Sequence, residues 1–305
     1  MIKVGIAGGD TLMAGELIRI LVNHPDVDII SVCAPGKKGM RVDKVHHGLI
    51  GECNLVFSEY LDPENLDVVF IDAHSALADH FRSQELPSDG LHIIDMSHGE
   101  VPTADSGTVY ALSEINRKKM VHGADRAVVP RSIAAVALLA LLPLAEHLML
   151  PSDIRLKVAA PDDITVPAKL EMAAGEVEYW LSRLQTSFSG HVAIDVESRD
   201  NSSRGIRVST SMPVGTDLQL VRDLYETRFE DHTLTYSGDL PMDFKQVEGT
   251  DKCLIRLDNT PDGSLSVEAV ADCRMRGGAG DAVHAMNLMF GLIETTGLRL
   301  KAHVY

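Results

Sequence analysis

The first 33 residues constrain the fold of this chain most, because they order a strand, a glycine turn, a helix and a second strand. Residues 2–7 form a short apolar run that ends at Gly8-Gly9, and apolar residues recur at helical spacing across 14–22. His24-Pro25 ends that helix, and residues 28–33 have the apolar composition of a buried strand. This order predicts the opening βαβ unit of a dinucleotide-binding fold.

The alternation of strands and helices continues through the first part of the chain and then changes. Buried-strand runs at 67–72 and 92–96 flank a predicted helix at 75–83, which indicates a parallel, doubly wound sheet of α/β Rossmann type. After a long apolar helix at 132–148 the strands are widely spaced, which indicates an α+β second domain. The strands predicted there are 154–160, 191–196, 205–212 and 252–257, the helices are 168–184 and 218–229, and a last helix covers 281–295.

The charge balance argues against several classes of partner. The chain carries 28 Lys and Arg against 44 Asp and Glu, and a net charge of −16 repels nucleic acid backbones and anionic membrane surfaces. The four cysteines contain no CxxC pair, so neither a disulfide framework nor a metal site is predicted. The chain opens on a strand rather than a targeting segment, and a proline interrupts its longest apolar run, so we expect a cytoplasmic protein without a membrane span.

The glycine turn is a candidate nucleotide site. Gly8-Gly9, followed by Thr11 and Leu12, stand where the backbone of a dinucleotide-binding fold approaches a pyrophosphate. A GxxGxxG pattern fails at Thr11 and Ala14, and Asp10 places a carboxylate beside the phosphate position. Two interpretations stay open at this point: a dinucleotide site, or a βα turn on a scaffold that holds no cofactor.

The end of the second predicted strand indicates which dinucleotide would fit. NAD sites usually carry Asp or Glu there to hold the ribose hydroxyls, and this chain has neither. Lys37 and Lys38 follow the strand instead, and their charge suits a 2′-phosphate, which predicts NADP as the cofactor. The alternative is that both lysines are solvated loop residues.

Motifs spread over nearly the whole chain resemble those of one family. They are Val4 to Gly9, Ala14 to Arg19, Asn23-His24-Pro25, Asp95-Met96-Ser97, the run from Leu139 to Leu144, Arg204-Gly205-Ile206 and Lys245-Gln246-Val247. The most specific match runs from Gly277-Gly278 through Gly291-Leu292. On these residues the chain resembles the N-acetyl-gamma-glutamyl-phosphate reductases of arginine biosynthesis, which belong with the aspartate-semialdehyde dehydrogenase-like enzymes.

This resemblance implies a domain arrangement, a cofactor contact and a reaction. A Rossmann-type NADP domain would take residues 1–131 and the C-terminal helix region 277–305, and a semialdehyde dehydrogenase-like α+β domain with dimer contacts would take 132–276. Gly278 would contact the cofactor. The family reduces an acyl phosphate to an aldehyde: a cysteine thiolate displaces phosphate to give a thioester, and hydride from NADPH then releases the semialdehyde. A histidine acts as acid and base.

The chain departs from this family at the nucleophile. The family has cysteine in Asn-Pro-Gly-Cys at the start of the long apolar helix, whereas this chain reads Val129-Pro130-Arg131-Ser132. A thiol at a helix N-terminus ionises near neutral pH, but a serine hydroxyl needs a dedicated base. Because serine is a favoured N-cap residue, we expect Ser132 to cap the helix.

Three further parts of the reaction centre also differ from the family. Its two histidine positions fall on Glu171 and Ala173. Its glycine-serine loop is replaced by one that contains Asp162 and Asp163, whose charges would repel an acyl phosphate. The arginine that follows its Asp-Leu-Ser motif has no counterpart near Val101.

Three functions therefore compete. The first is a catalytically silent or repurposed relative that binds nucleotide, a small metabolite or an active paralogue, and that forms a dimer or tetramer. The second is a working NADP-dependent reductase that recruits Cys253 or Cys273. The third is a hydrolase that uses Ser132 with His98 or Glu171 as its base.

Two cationic side chains in the matching motifs are candidate substrate contacts. Arg204 and Lys245 carry the charge that an anionic substrate requires. The alternative interpretation of both residues is ordinary surface charge.

Overall fold

The chain forms two units. A computed structural model describes residues 1–72, 76–83, 90–98, 101–102, 106–197, 204–213, 215 and 217–302. The first unit contains Met1–Pro130 and Gly278–Arg299, and the second contains Arg131–Gly277 and the residues that follow Arg299. The predicted assignment of 1–131 and 277–305 to one domain differs from this division at residues 131 and 277 and beyond residue 299.

Strands and helices alternate early in the chain, and strands predominate later. Within the described residues the strands are β1 (Ile2–Ala7), β2 (Val27–Cys33), β3 (Phe57–Ser58), β4 (Val68–Ile71), β5 (His92–Asp95), β6 (Thr108–Tyr110), β7 (Arg126–Val128), β8 (Ile154–Ala159), β9 (Val192–Val196), β10 (Gly205–Met212), β11 (Thr235–Ser237), β12 (Cys253–Asn259) and β13 (Leu265–Asp272). The helices are α1 (Leu12–Leu21), α2 (Ala76–Ser83), α3 (Ser113–Val121), α4 (Ser132–Glu146), α5 (Pro167–Leu184), α6 (Leu218–Phe229) and α7 (Ala279–Met289).

The first unit is built on a parallel sheet with the strand order β3-β2-β1-β4-β5-β7-β6. Every residue of β4 is buried, as expected for a strand covered on both faces. The strand order reverses between β1 and β4, because the chain leaves β1 toward β2 and later returns to the other side of β1. Ligands of such sheets bind outside the carboxyl ends of the strands at this point. The ends of β1 and β4 therefore mark the candidate nucleotide site.

The second unit is built on a mixed sheet with the strand order β11-β12-β13-β10-β8-β9. Its central pairs, β12 with β13, β13 with β10 and β10 with β8, are antiparallel. The outer pairs, β11 with β12 and β8 with β9, are parallel. α4 packs against α5, β10 and β13, so this helix lies between a sheet and a second helix.

The longest apolar run of the sequence forms α4. This helix is buried along its length up to Ala145, and it contains Pro143. A helix that is apolar on all sides is stabilised by burial rather than by an amphipathic pattern. No helix among the described residues is long and apolar enough to cross a membrane.

Several predicted elements agree with the structure, and others are shifted or were missed. The predicted strand 205–212 and helix 218–229 coincide with β10 and α6. The last helix is shorter than predicted, since α7 ends at Met289 rather than at residue 295. The predicted helix 75–83 corresponds to α2, and Ser75 lies outside the described residues. β13, a central strand, was not predicted, and neither were α3, β3, β6, β7 and β11.

Candidate functional site

The glycine turn of the first unit is tied to the second strand. Gly8 has a φ of +90°, a conformation that favours glycine. The N–H groups of Gly8 and Gly9 both donate to the carbonyl of Cys33, at 3.0 and 2.8 Å. A Cβ on Gly9 would lie 2.2 Å from Cγ1 of Val32, so a side chain there would clash with the side chain of Val32. These two glycines thus set the path of the turn as it leaves the sheet.

The start of α1 has the geometry of an anion site. Thr11 is its N-cap, and its hydroxyl accepts the N–H of Ala14 at 3.0 Å and donates to the Asp72 carboxylate just beyond β4. Leu12 is 66% exposed, and no described residue accepts the N–H groups of Leu12 and Met13. Open N–H groups at the positive end of a helix dipole attract a phosphate. The backbone here therefore fits the pyrophosphate of a dinucleotide.

Both candidate lysines are paired with carboxylates. Lys37 Nζ lies 2.5 Å from Asp10 Oδ2, and Lys38 Nζ lies 3.2 Å from Glu59 Oε2. The Asp10 charge beside the predicted phosphate position is therefore offset by a lysine from the turn that follows β2. The sequence singled out Asp10, Lys37 and Lys38 separately, and the structure brings the first two together.

Gly278 begins α7, the last helix of the first unit. It is the N-cap of α7, and its carbonyl accepts the N–H of Ala282 at 3.0 Å. α7 is buried along its whole length and packs against α1 and α3. Gly278 is therefore fixed at the head of a buried helix within the first unit.

In the second unit, Ser132 is not the helix cap that the sequence predicts. Arg131 is the N-cap of α4, without a side-chain cap hydrogen bond, and Ser132 is the first helical residue. Ser132 is buried, and its hydroxyl donates to the carbonyl of Cys273 at 2.6 Å, with the carbonyl of Gly277 at 3.3 Å. The N-cap prediction is wrong because α4 begins one residue earlier than a serine cap requires, so Ser132 lies within the helix and its hydroxyl donates to the loop after β13.

Gly277 permits this close approach of the loop. It has a φ of +67°, and a Cβ there would lie 2.4 Å from Cα and 2.5 Å from N of Ser132. Backbone atoms cannot move aside as a flexible side chain can, so only glycine fits. The loop after β13 is thus fastened to the start of α4 by contacts and by hydrogen bonds.

The two cysteines considered as replacement nucleophiles are both buried. Cys253 is fully buried in β12, and Cys273 is 4% exposed. Burial, aided by the neighbouring charge of Asp272, raises the pKa of the Cys273 thiol to about 12. The backbone of Cys273 adjoins Ser132, but its thiol is protonated at neutral pH and is a weak nucleophile in that state.

A largely buried ion pair adjoins Ser132, which stands at the family's nucleophile position. Glu176, 2% exposed, accepts the backbone N–H of Arg131 at 3.1 Å and its guanidinium at 2.7 Å. The sequence motif has glycine where this chain has Arg131, so the pair cannot form in that motif. Of the two positions expected to hold histidine, Glu171 is exposed and Ala173 is buried in α5.

The two predicted substrate contacts differ in their surroundings. Arg204 Nε lies 2.6 Å from Oδ2 of Asp272, which is fully buried and also accepts the N–H groups of Gly249 and Arg274. Lys245 is exposed on a short 3₁₀ turn. Asp162 and Asp163 are likewise exposed.

Among the hydrogen bonds that the structure describes for Ser132, none provides the base that a hydrolase would need. Both hydrogen bonds that the structure gives to its hydroxyl go to carbonyl oxygens, which cannot take up a proton at neutral pH. Glu171 is exposed in α5, and His98 has a φ of +56°. A serine nucleophile needs a base within hydrogen-bond reach.

Sequence reasoning missed two polar contacts of the first unit. Asp72 follows directly on the buried run of β4, and a carboxylate at the end of a parallel strand is the signal that could have identified it. Arg82 of α2 donates to Asp95 at 2.7 Å and to Ser97 at 2.8 Å. This arginine approaches the Asp-Met-Ser motif from a helix, which no local sequence pattern predicts.

Comparison with known proteins agrees with this architecture. Residues 3–122 match the protein family described as semialdehyde dehydrogenase, NAD binding domain. The N-acetyl-gamma-glutamyl-phosphate reductase of Parabacteroides distasonis is 35% identical over 326 aligned residues, which cover 100% of each chain. The reductase of the same name from Phocaeicola vulgatus is 34% identical over 327 residues, again covering 100% of each chain.

Solved structures show the same fold. Aspartate semialdehyde dehydrogenase II of Vibrio cholerae, complexed with ASA, superposes with a TM-score of 0.69 at 14% identity, covering 95% of this chain and 98% of that one. Aspartate semialdehyde dehydrogenase of Candida albicans, with NADP, gives 0.67 at 11% identity and the same coverage. These similarities confirm the predicted fold class of a Rossmann-type domain with an α+β second domain.

Proposed function

Because the chain belongs to the N-acetyl-gamma-glutamyl-phosphate reductase family, we propose that it is a nucleotide-binding member that has lost cysteine-dependent reduction of an acyl phosphate. It binds NADP at the start of α1, and it acts through binding a nucleotide, a small metabolite or an active paralogue. The standard reaction needs a thiolate that displaces phosphate and a base that manages the protons. This chain offers neither at the expected positions.

One observation carries the proposal. At the position of the family's nucleophile, the Ser132 hydroxyl donates its proton to the Cys273 carbonyl at 2.6 Å. This hydrogen bond holds the loop after β13 against the start of α4. The Cys273 carbonyl cannot act as a base, so it cannot activate the hydroxyl as a nucleophile. An ester formed at serine would also accept hydride less readily than a thioester. The residue that replaces cysteine therefore has a structural role.

The surroundings of Ser132 support the same conclusion. The Arg131 guanidinium is held by Glu176, and Ala173 stands at a position expected for histidine. Asp162 and Asp163 place negative charge on the loop that follows β8, where an anionic acyl phosphate is disfavoured. These changes affect leaving-group binding, proton transfer and bond formation separately.

The nucleotide half of the proposal rests on the first unit. Gly8, Gly9 and the open N–H groups of Leu12 and Met13 would hold the pyrophosphate, and Thr11 fixes the helix start. Lys37 and Lys38 supply positive charge after β2, and Gly278 heads a helix of the same unit. NADP, when bound, supplies hydride chemistry; the residues of this chain bind and orient it.

Substrate contacts, assembly and location are part of the same proposal. Lys245 presents an exposed ammonium to an anionic metabolite, whereas the Arg204 charge is already offset by Asp272 and acts mainly by positioning the loop after β13. We assign the protein to the cytoplasm and expect a homo-oligomer, a dimer or tetramer, from its family.

The direct test is the phosphate-dependent reduction of NADP⁺ by N-acetylglutamate semialdehyde, measured with purified protein. We expect a rate at background, because the nucleophile and base of such a centre act as a unit and their joint loss costs many orders of magnitude. The substitution Ser132→Ala should leave this background rate unchanged. A robust rate that Ser132→Ala abolishes would contradict the proposal and assign the serine a catalytic role.

A second candidate function is an active reductase that uses Cys273. The observation in its favour is the hydrogen bond that puts the Cys273 backbone beside Ser132. The raised pKa of the Cys273 thiol opposes this alternative. The same assay separates the two, since a robust rate that disappears in Cys273→Ala but persists in the matched variant Cys253→Ala would establish this alternative.

A further inference from the structure

The turn after β2 directs one lysine toward the glycine loop. Ala34-Pro35-Gly36-Lys37 is a tight turn in which the Lys37 N–H donates to the Ala34 carbonyl at 3.1 Å. The glycine at its third position has the positive φ, +79°, that a type II turn requires, and proline is common at the second position of such turns. The position of Lys37 is therefore set by turn geometry rather than by its ion pair alone.

Asp10 approaches the same place from the glycine loop. Its carboxylate lies 2.5 Å from Lys37 Nζ, and the two side chains are 29% and 34% exposed. The neighbouring pair of Lys38 and Glu59 is longer, at 3.2 Å, and far more exposed, at 67% and 52%. A half-buried pair is screened less by water and salt than an exposed one. Lys37 is thus the more firmly held of the two lysines.

The position of Asp10 has a specific chemical meaning. In dinucleotide folds the end of the second strand faces the adenine ribose, and NAD sites place a carboxylate there that accepts its hydroxyls. This chain has no Asp or Glu at the end of β2 itself. Asp10, which is in contact with Lys37 just beyond β2, brings a carboxylate to that region from a different element.

We propose that Asp10 is a specificity-determining residue of the nucleotide site, which holds Lys37 and thereby reduces the advantage of a dinucleotide that carries a 2′-phosphate. This inference rests on the proposed function, because it requires a nucleotide at the glycine loop. A 2′-phosphate must compete with Asp10 for Lys37 and meets the repulsion of the carboxylate. A free ribose hydroxyl instead donates to Asp10.

The test compares the dissociation constants of NADPH and NADH by titration calorimetry. The proteins are the wild type, Asp10→Asn, Lys37→Met and the double variant. Asp28→Asn is the matched control, since Asp28 is an exposed residue at the other end of β2 and its loss changes the net charge equally. Adenosine 2′,5′-bisphosphate and 5′-AMP, as second probes, report on the adenosine end without the nicotinamide.

We expect Asp10→Asn to tighten NADPH binding about three- to tenfold and to weaken NADH binding about twofold. Adenosine 2′,5′-bisphosphate should also bind more tightly to Asp10→Asn. The control Asp28→Asn should leave the ratio of the NADPH and NADH dissociation constants unchanged. In the Lys37→Met background, Asp10→Asn should give a smaller gain, because only the direct repulsion between the carboxylate and the 2′-phosphate is then relieved.

Two results would overturn the inference. If nucleotides bind but Asp10→Asn changes both dissociation constants by the same factor, Asp10 has no role in specificity and the proposed nucleotide site still stands. If the folded wild type and all variants bind none of the four ligands, the proposed function and this inference both fail. Circular dichroism of each variant shows that the protein is folded.

Discussion

Two helix starts carry the proposed functional residues, and each uses a hydroxyl side chain differently. In the first unit, Thr11 caps α1 by accepting a backbone N–H of its own helix, and it donates to Asp72. In the second unit, Ser132 lies inside the first turn of α4 and donates to the carbonyls of Cys273 and Gly277. The first arrangement leaves backbone donors open to an anion, whereas the second fastens a loop.

The difference shows which kind of site survives changes of side chain. A phosphate site at a helix start is made of N–H groups, a helix dipole and a glycine turn, all of which the backbone supplies. Thr11 stands where the glycine pattern has glycine, and this substitution leaves the backbone N–H groups at the start of α1 in place. A covalent reaction centre depends on one thiol and one base, so a few substitutions remove its chemistry while the fold stays intact.

The largest predicted effect concerns the thiol of Cys273. A pKa of about 12 leaves so little thiolate at neutral pH that alkylation should be more than about a thousandfold slower than for an unperturbed cysteine. The alkylation rate should rise about tenfold per pH unit, because the fraction of Cys273 in the reactive thiolate form rises tenfold per pH unit below its pKa. Peptide mass spectrometry after iodoacetamide treatment measures it, with the partly exposed Cys53 as internal control. Equal labelling of Cys273 and Cys53 would favour an active Cys273.

Next in size is the effect of a methyl group at Gly277. Gly277→Ala combines left-handed strain with a backbone clash against Ser132, and should lower the free energy of unfolding of the second unit by about 4 kcal/mol. Gly263→Ala is the control, because Gly263 has a similar φ of +84° and no atom within 4 Å of its Cβ position. Gly263→Ala should lower the free energy of unfolding by about 1 kcal/mol. Equal losses in urea denaturation would show that the loop is not fastened at Ser132.

Loss of the ion pair between Arg131 and Glu176 should lower the free energy of unfolding by a somewhat smaller amount. Arg131→Met keeps the aliphatic part but leaves the buried Glu176 carboxylate without its cation, at a cost of about 3 kcal/mol. Adding Glu176→Gln removes that charge, so the double variant should be more stable than Arg131→Met alone. Urea denaturation of the wild type, both single variants and the double variant measures the coupling. Additive losses would mean that the two groups do not interact.

The two hydroxyls at the helix starts give the smallest and most informative pair of variants. Thr11→Val removes an N-cap and should cost about 1–2 kcal/mol, and it should also weaken NADPH binding. Ser132→Ala removes a buried hydrogen bond, for about 1 kcal/mol, and should leave NADPH binding unchanged. Titration calorimetry and urea denaturation give both quantities. Weaker NADPH binding in Ser132→Ala but not in Thr11→Val would contradict the assignment of the nucleotide site to the start of α1.

Most of the first unit was predictable because its signals are local. An apolar strand, a glycine turn and a helical period lie within the first 33 residues, and β4 is a continuous apolar run. β13 escaped prediction although its residues alternate between apolar and polar through Leu265-Ser266-Val267-Glu268. The short strands β6 and β7 carry three residues each, too few for a periodic signal.

The contacts of the candidate site were predictable only in part. The absence of cysteine at Ser132 is visible in the sequence, but the role of the hydroxyl depends on Gly277, 145 residues later, which brings a carbonyl to it. The pairing of Asp10 with Lys37 likewise joins residues 27 positions apart through a turn. Such contacts follow from the packing of distant segments, which local propensity does not encode.

The most direct test of the proposed loss of acyl-phosphate reduction is a single mixing experiment with the wild-type protein. Protein loaded with NADPH is mixed with N-acetyl-gamma-glutamyl phosphate, while nicotinamide fluorescence reports binding and absorbance reports oxidation. We predict that NADPH binds, as seen by a change in its fluorescence on loading, and that its absorbance then stays constant. A fall in absorbance equivalent to the enzyme concentration or more would contradict the account, because it would show that the second unit still carries out the reaction.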